Sequence, residues 1–238
     1  MYYNLLCIFL IFYIYSVIGY IFEITYCSIR NKKFTWTRGF LIGPYLPIYG
    51  TGSLILINTL ARYADDYIVL FIMSMVYCSI LEYITSYVLE KLFNLRWWDY
   101  SKRKFNLNGR VCLLNGVLFG IAGVFIVKFI NPLITSFIYS MNYSVLTIIS
   151  FTLFILFIID LVLSIRIVLG LKNNIHKIIN MDSTIEIKKE VLLFIKNNGM
   201  LTNRLLRSYP NLVSINSKKL SEGVQFIKNE LKKRKKTK

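Results

Sequence analysis

Three carboxylates stand inside long apolar stretches of the chain, and they are the residues with most chemistry to offer: Glu23, Glu82 and Asp160. Insertion scales charge about 2.5 to 3.5 kcal/mol for an acid at the centre of a membrane helix, so such a group faces protein rather than lipid and takes a partner. Arg38 and Arg110 are the natural partners, because each opens the apolar stretch that follows an acid-bearing one. All three acids fall in the inner half of their stretches. Glu23 and Glu82 meeting Arg38 and Arg110 would form a polar pocket open to one side, a substrate or proton pathway to which Asp160 also belongs. The plainer alternative is that these pairs only hold helices together.

Paired carboxylates can also divide acid and base roles in an intramembrane enzyme. The chain offers them no helper, since the single histidine, His176, lies far along the sequence and no Ser, His and Asp set can be drawn within the apolar stretches. No catalytic residue is assigned and the chain reads as a non-enzyme. The four cysteines, Cys7, Cys27, Cys78 and Cys112, form no two-residue-spaced pair, so buried thiols are expected, with no metal and no cofactor.

The elements that must position these residues are five apolar runs, at about 5 to 27, 44 to 60, 67 to 92, 111 to 130 and 145 to 169. Each approaches or exceeds the roughly 20 residues that cross a bilayer core about 30 Å thick. Apolar residues make up 55% of the 238 positions and mean hydropathy is +0.53, above the range of soluble domains. The expected fold is all-α, a polytopic bundle of five spans over residues 1–170 with a basic cytoplasmic tail over 171–238. Ser16, Gly19, Glu23 and Cys27, and likewise Ser79, Glu82, Ser86 and Glu90, recur at helical spacing and place polar groups on one stripe of each helix. The second run begins with Gly43, Pro44, Pro47, Gly50 and Gly52. Its start should be broken, and backbone groups freed at membrane depth must find protein or water. Runs one and two also resemble runs three and four: the spacing from Gly39 to Gly50 equals that from Gly109 to Gly120, which suggests a parallel duplication.

The net charge of +17 is unevenly placed. Arg30, Lys32, Lys33 and Arg38 fill the loop between runs one and two; Arg96, Lys102, Arg103, Lys104 and Arg110 stand against Asp99 between runs three and four. The other two loops are neutral or acidic. From Leu171 onward there are sixteen Lys and Arg against five acids. Positive residues stay inside, which puts the protein in the cytoplasmic membrane with the N-terminus outside and the C-terminus in the cytoplasm. Cations lying against a membrane find anionic lipid, not nucleic acid. In the third loop Arg96, Trp97, Trp98, Asp99, Asn106 and Asn108 read either as an interface belt or as an ordered element for a partner. Ile185 to Asn197 and Lys218 to Lys233 carry apolar residues at helical spacing among charges, so the tail should form amphipathic helices. No phosphate-cradling loop occurs, so any ATPase is a separate chain.

The run Phe12, Tyr15, Ser16, Gly19, Glu23, then Arg38 Gly39 Phe40 Leu41, Gly43 Pro44 Tyr45 and Pro47 Ile48 Tyr49 Gly50, resembles a bacterial family of ABC-transporter permeases, CmpB type. Leu81 Glu82 Tyr83, Arg96 Trp97 Trp98 Asp99 Tyr100 and Phe105 Asn106 Leu107 Asn108 Gly109 Arg110 continue the likeness, which runs from about residue 8 to 132 and more loosely through Asp160 to Arg204 and Pro210. Tyr20 stands where Trp is expected and Thr37 where Asn often precedes the arginine. The resemblance implies a small polytopic permease-like subunit working with a nucleotide-hydrolysing partner on a small-molecule substrate, alone or as a homo- or hetero-oligomer. The competing expectation is a non-transporting scaffold, or a sensor of lipid or envelope state, acting through the basic tail.

Overall fold

The structure, a computed structural model, describes residues 2–32, 39–93, 95–179, 204 and 213–214. Helices dominate: α1 (Tyr2–Asn31), α2 (Pro47–Leu60), α3 (Tyr67–Phe93), α4 (Leu113–Phe125), α5 (Asn131–Tyr139) and α6 (Tyr143–Ile179). Four two-residue strands accompany them, β1 (Leu95–Arg96), β2 (Asn106–Leu107), β3 (Val111–Cys112) and β4 (Val213–Ser214). α4 and α5 form one rod. Pro132 has no N–H to give the Lys128 carbonyl, and the helix passes through a π turn, Ile126–Ile130, just ahead of it.

Among the described residues, four stretches are long and apolar enough to cross a bilayer: Asn4–Ile29, Tyr67–Phe93, Leu113–Tyr139 and Tyr143–Gly170. The chain is therefore a multi-pass membrane protein. Their outward faces carry exposed Ile72, Ile84, Phe125, Phe151 and Ile155, which suits lipid. The expected count of five full spans is not reached among the described residues, because the run from 44 to 60 yields only the 14-residue α2. At 1.5 Å per residue that is roughly 21 Å, short of the core thickness. Pro47 sits in the first turn of α2, where a missing N–H is harmless, and Leu46 before it is extended with φ −121° and ψ 100°. The N–H of Leu46 donates to the carbonyl of Ser16 at 2.9 Å, so α2 begins level with the middle of α1. Residues 39–46 lead into α2 as irregular backbone.

Two helical hairpins form the core, α1 on α2 and α3 on α4, and α2 also packs on α3. The hairpins repeat one contact. Gly50 lies over Phe12 and Gly120 over Phe71, and the spacing from Phe12 to Glu23 equals that from Phe71 to Glu82. Gly39 and Gly109 both have positive φ, at 103° and 66°. α6 docks by a narrow stripe of Leu146, Ser150, Asp160, Ser164 and Val168, with Phe154 and Phe157 edge-on to Phe9 and Phe12 of α1.

At one end of the bundle Cys7, Leu10, Ile138 and Leu146 form an apolar cluster, and beneath it Leu56, Leu60, Leu70 and Val127 form another. There Lys128 pairs with Asp65 in the turn before α3, and the ammonium holds that exposed carboxyl below its usual range. The other end carries the connection from α3 to α4, where β2 and β3 pair antiparallel and β1 pairs with β4. α6 continues to Ile179, past the position where the tail was expected to begin. Arg38 and the two amphipathic stretches expected in the tail lie outside the described residues.

Candidate functional site

Glu23 and Glu82 sit on the polar stripes of α1 and α3. Neither is held by arginine among the described residues. Gly19, one turn before Glu23, leaves room for the ring of Tyr49 to lie flat on α1; a Cβ there would come within 2.3 Å of Tyr49 Cγ. The phenol thereby reaches Glu23 Oε2 at 3.0 Å, while Cys27 Sγ lies 3.3 Å from Oε1. Glu82 is 7% exposed, and its Oε1 accepts from Tyr100 Oη at 3.1 Å and from Asn115 Nδ2 at 3.5 Å. Its Oε2 is buried and accepts no hydrogen bond from the described residues. Tyr49, Tyr100, Glu23 and Glu82 lie within electrostatic reach of one another, so the two carboxyls share one seam between the hairpins.

Arg110 is turned elsewhere. Its Nη1 lies 2.9 Å from Glu90 Oε2 and 3.3 Å from Ser86 Oγ, and its guanidinium stands over the rings of Tyr83 and Tyr87. Arg96 Nε shares the same Glu90 oxygen at 3.3 Å, and Arg96 Nη1 lies 3.6 Å from Asp99. Two guanidinium groups thus converge on one carboxylate two helical turns below Glu82. Replacing Glu90 with Gln leaves both cations facing a neutral amide. A loss of about 1 to 3 kcal/mol is expected, read as a lowered thermal midpoint in detergent. An unchanged midpoint would show that the cluster is not stabilising.

The connection from α3 to α4 is ordered from within by the residues singled out in the sequence. Trp97 is buried edge-on to Phe40 and Phe93; Trp98 Nε1 donates to the Arg110 carbonyl at 3.0 Å. Asp99 accepts from the N–H and hydroxyl of Ser101. Asn106 donates to the Arg103 carbonyl at 2.7 Å and accepts from the N–H of Gly109 at 2.9 Å; Asn108 donates to the hydroxyl of Tyr83. The fold also presents Lys102, Lys104, Phe105 and Leu107 outward, beside the exposed Asp99 and Asn108.

Asp160 has a different setting from the two glutamates. Its Oδ1 accepts from the N–H of Ile42 at 2.8 Å and from Ser164 Oγ at 3.0 Å. Oδ2 accepts from the N–H of Gly43 at 2.7 Å and from the hydroxyl of Tyr45. Arg204 donates to the carbonyls of Phe40 and Leu41. The irregular segment 39–46 therefore has three of its amides satisfied by α6 and α1 and two of its carbonyls by a residue from far along the chain, in the direction that backbone at membrane depth requires.

Of the five residues named for a polar pathway, the structure brings Glu23 and Glu82 together, sends Arg110 to Glu90 and places Asp160 under residues 42–45; Arg38 is not described. Tyr49, Tyr100 and Glu90 were not named as site residues. Glu90 was visible as the last member of the α3 stripe, but nothing in its spacing marks a tyrosine as a carboxylate donor.

No curated protein and no solved structure matches the chain. A family-level comparison does, over residues 10–165, which takes in both hairpins, the seam with Glu23 and Glu82, the ordered connection and Asp160. The chain belongs to the family described as "Putative ABC-transporter type IV".

Proposed function

We propose that this chain is the membrane-embedded, permease-like subunit of an ABC-type transporter, not itself an enzyme, and that its substrate route passes the seam between the two hairpins. The observation that carries this is the treatment of charge. Arg96 and Arg110 are both committed to Glu90, while among the described residues the donors to Glu23 and Glu82 are two phenols, a thiol and an amide, all neutral. Neutral donors orient a carboxyl without discharging it, which suits a site that takes up and releases a charged or polar group. Sites in transporters built from repeats commonly lie at the junction of the halves. Under the positive-inside reading, the ordered connection and the tail face the cytoplasm, where a separate ATPase would meet Lys102, Lys104, Phe105 and Leu107.

The direct test is copurification from bacterial membranes in mild detergent. A nucleotide-hydrolysing subunit recovered in stoichiometric yield supports this reading; its consistent absence, with the protein intact and monodisperse, removes it. A second reading, a non-transporting scaffold or envelope sensor acting through the tail, draws on Arg204 at residues 40–41 and on the pairing of β4 with β1. Deleting residues 180–238 separates the two, since a scaffold loses its function with the tail whereas a route between the hairpins keeps substrate binding.

A further inference from the structure

We propose that Glu82 is a proton-binding site: its carboxyl takes up and releases one proton, exchanged by way of Glu23. The proposal rests on the transporter reading of the same seam and names the ion that the seam handles.

Three observations carry it. Glu82 is more than nine-tenths buried, yet only one of its two oxygens is engaged, so the group is set up for a ligand at Oε2. Burial without a counter-charge disfavours an ionised carboxylate. Glu23 lies within electrostatic reach, and two neighbouring carboxyls resist being ionised together. Together these conditions call for one positive unit at the pair, and a proton supplies it while converting Oε2 into a donor.

Among the described residues the groups facing Glu82 are Glu23 from α1, Tyr49 from α2, Tyr100 from the connection, Asn115 from α4 and Cys78 one turn away on its own helix. None of these is cationic. Arg110, on the same side of α3, is held by Glu90 and Ser86. Among the described residues no group of three or more His, Cys, Asp or Glu could hold a metal ion, which favours a single unit of charge over a divalent cation. Glu23 is half-buried where Glu82 is buried, and so gives the proton a route.

The two other acids on the inner-facing stripes are the built-in contrast. Asp160 has two donors on each oxygen, and Glu90 has two guanidinium groups. In both, the partners on the carboxylate are already in place.

The experiment uses the full-length protein in mild detergent and the hydrophobic reagent N,N′-dicyclohexylcarbodiimide, which modifies protonated carboxyls in apolar surroundings. Modified positions are mapped by mass spectrometry from about pH 6 to 9, a range in which buried carboxyls change protonation. Glu82 should be the principal site, with modification falling about tenfold per unit once the pH exceeds its own pKa. Asp160 and Glu90 should stay unmodified. Glu82→Gln should abolish the label. Should that variant fail to fold, Glu23→Gln serves, since removing the neighbouring negative charge should lower the label on Glu82 at a given pH.

An unlabelled Glu82 in folded protein across the range overturns the proposal, as does labelling of Asp160 or Glu90 to the same extent. Protection of Glu82 by sodium at constant pH, and not by potassium or choline, overturns it in favour of a metal-cation site. The reaction needs neither ATPase nor substrate, so a negative result leaves the transporter reading standing, and loss of that reading by copurification leaves the proton site open to this measurement.

Discussion

Replacing Asp160 with alanine lowers the thermal midpoint of the detergent-purified protein by roughly 10 °C, the largest drop expected from any single acid in the chain. The substitution leaves the N–H groups of Ile42 and Gly43 and the hydroxyl of Tyr45 without their acceptor at membrane depth. A buried donor left unsatisfied costs about 1 to 3 kcal/mol, so three of them suggest about 3 to 9 kcal/mol. For a chain of this size 1 kcal/mol moves the midpoint by about 2 to 4 °C. Asp160→Asn keeps the shape and one acceptor oxygen and should fall between wild type and alanine; Ser164→Ala removes one donor and should cost least. Intrinsic fluorescence during heating reads all three, with Trp97 close to the affected segment through Phe40. A midpoint for Asp160→Ala within a degree of wild type would mean that residues 39–46 are held by something other than α6.

The anchoring role explains which parts of the chain could be read from its sequence. Apolar length marked the four spans well, because a bilayer imposes that length regardless of detail. The broken start of the second run was equally legible from Gly43, Pro44 and Pro47, and so was the need for partners. The identity of those partners was not. Asp160 lies over a hundred residues away, and an acid in an apolar helix looks the same whether it receives backbone amides, an arginine or a proton. Glu23 and Glu82 were legible as candidates for the same reason that Asp160 was, and only geometry separates them from it.

The misplacement of Arg110 has a local cause. From spacing alone it opens α4 and faces the stripe of α3 at an unspecified height. Its actual height is set by the turn ahead of it, where Phe105, Asn108 and Gly109 take positive φ and carry the chain back so that Arg110 meets Ser86 and Glu90. Bulky residues seldom adopt that conformation, and no pattern in the sequence announces that Phe105 does. Tyr49 and Tyr100 were hidden by abundance: with 17 tyrosines in the chain, no spacing distinguishes the two that point at carboxyls.

Gly50 and Gly52 stand two positions apart on α2, and their alanine variants should move stability in opposite directions. Alanine is favoured over glycine in a helix by about 1 kcal/mol, so an open position gains from the change. At Gly52 the nearest atom to an added Cβ is Leu81 Cδ2 at 3.4 Å, an ordinary contact, and Gly52→Ala should be neutral or mildly stabilising. At Gly50 the added Cβ would fall within 2.3 Å of Ser16 Oγ and 2.4 Å of the Phe12 carbonyl oxygen. A side chain can turn away but a backbone carbonyl cannot, so α1 and α2 must part. Overpacking of this kind costs about 1 to 3 kcal/mol, and parting the pair also draws Tyr49 from Glu23. Gly50→Ala should therefore melt well below Gly52→Ala. Adding Ser16→Ala should restore only part of the loss, because the Phe12 carbonyl remains. Gly120 repeats the arrangement in the second hairpin, its Cβ position lying 2.7 Å from a ring carbon of Phe71 and 2.9 Å from that residue's carbonyl oxygen. Gly120→Ala should lose stability with the same sign, as two copies of one helix contact require. Equal midpoints for Gly50→Ala and Gly52→Ala would refute the close approach of α1 and α2, and with it the route by which Tyr49 reaches the seam.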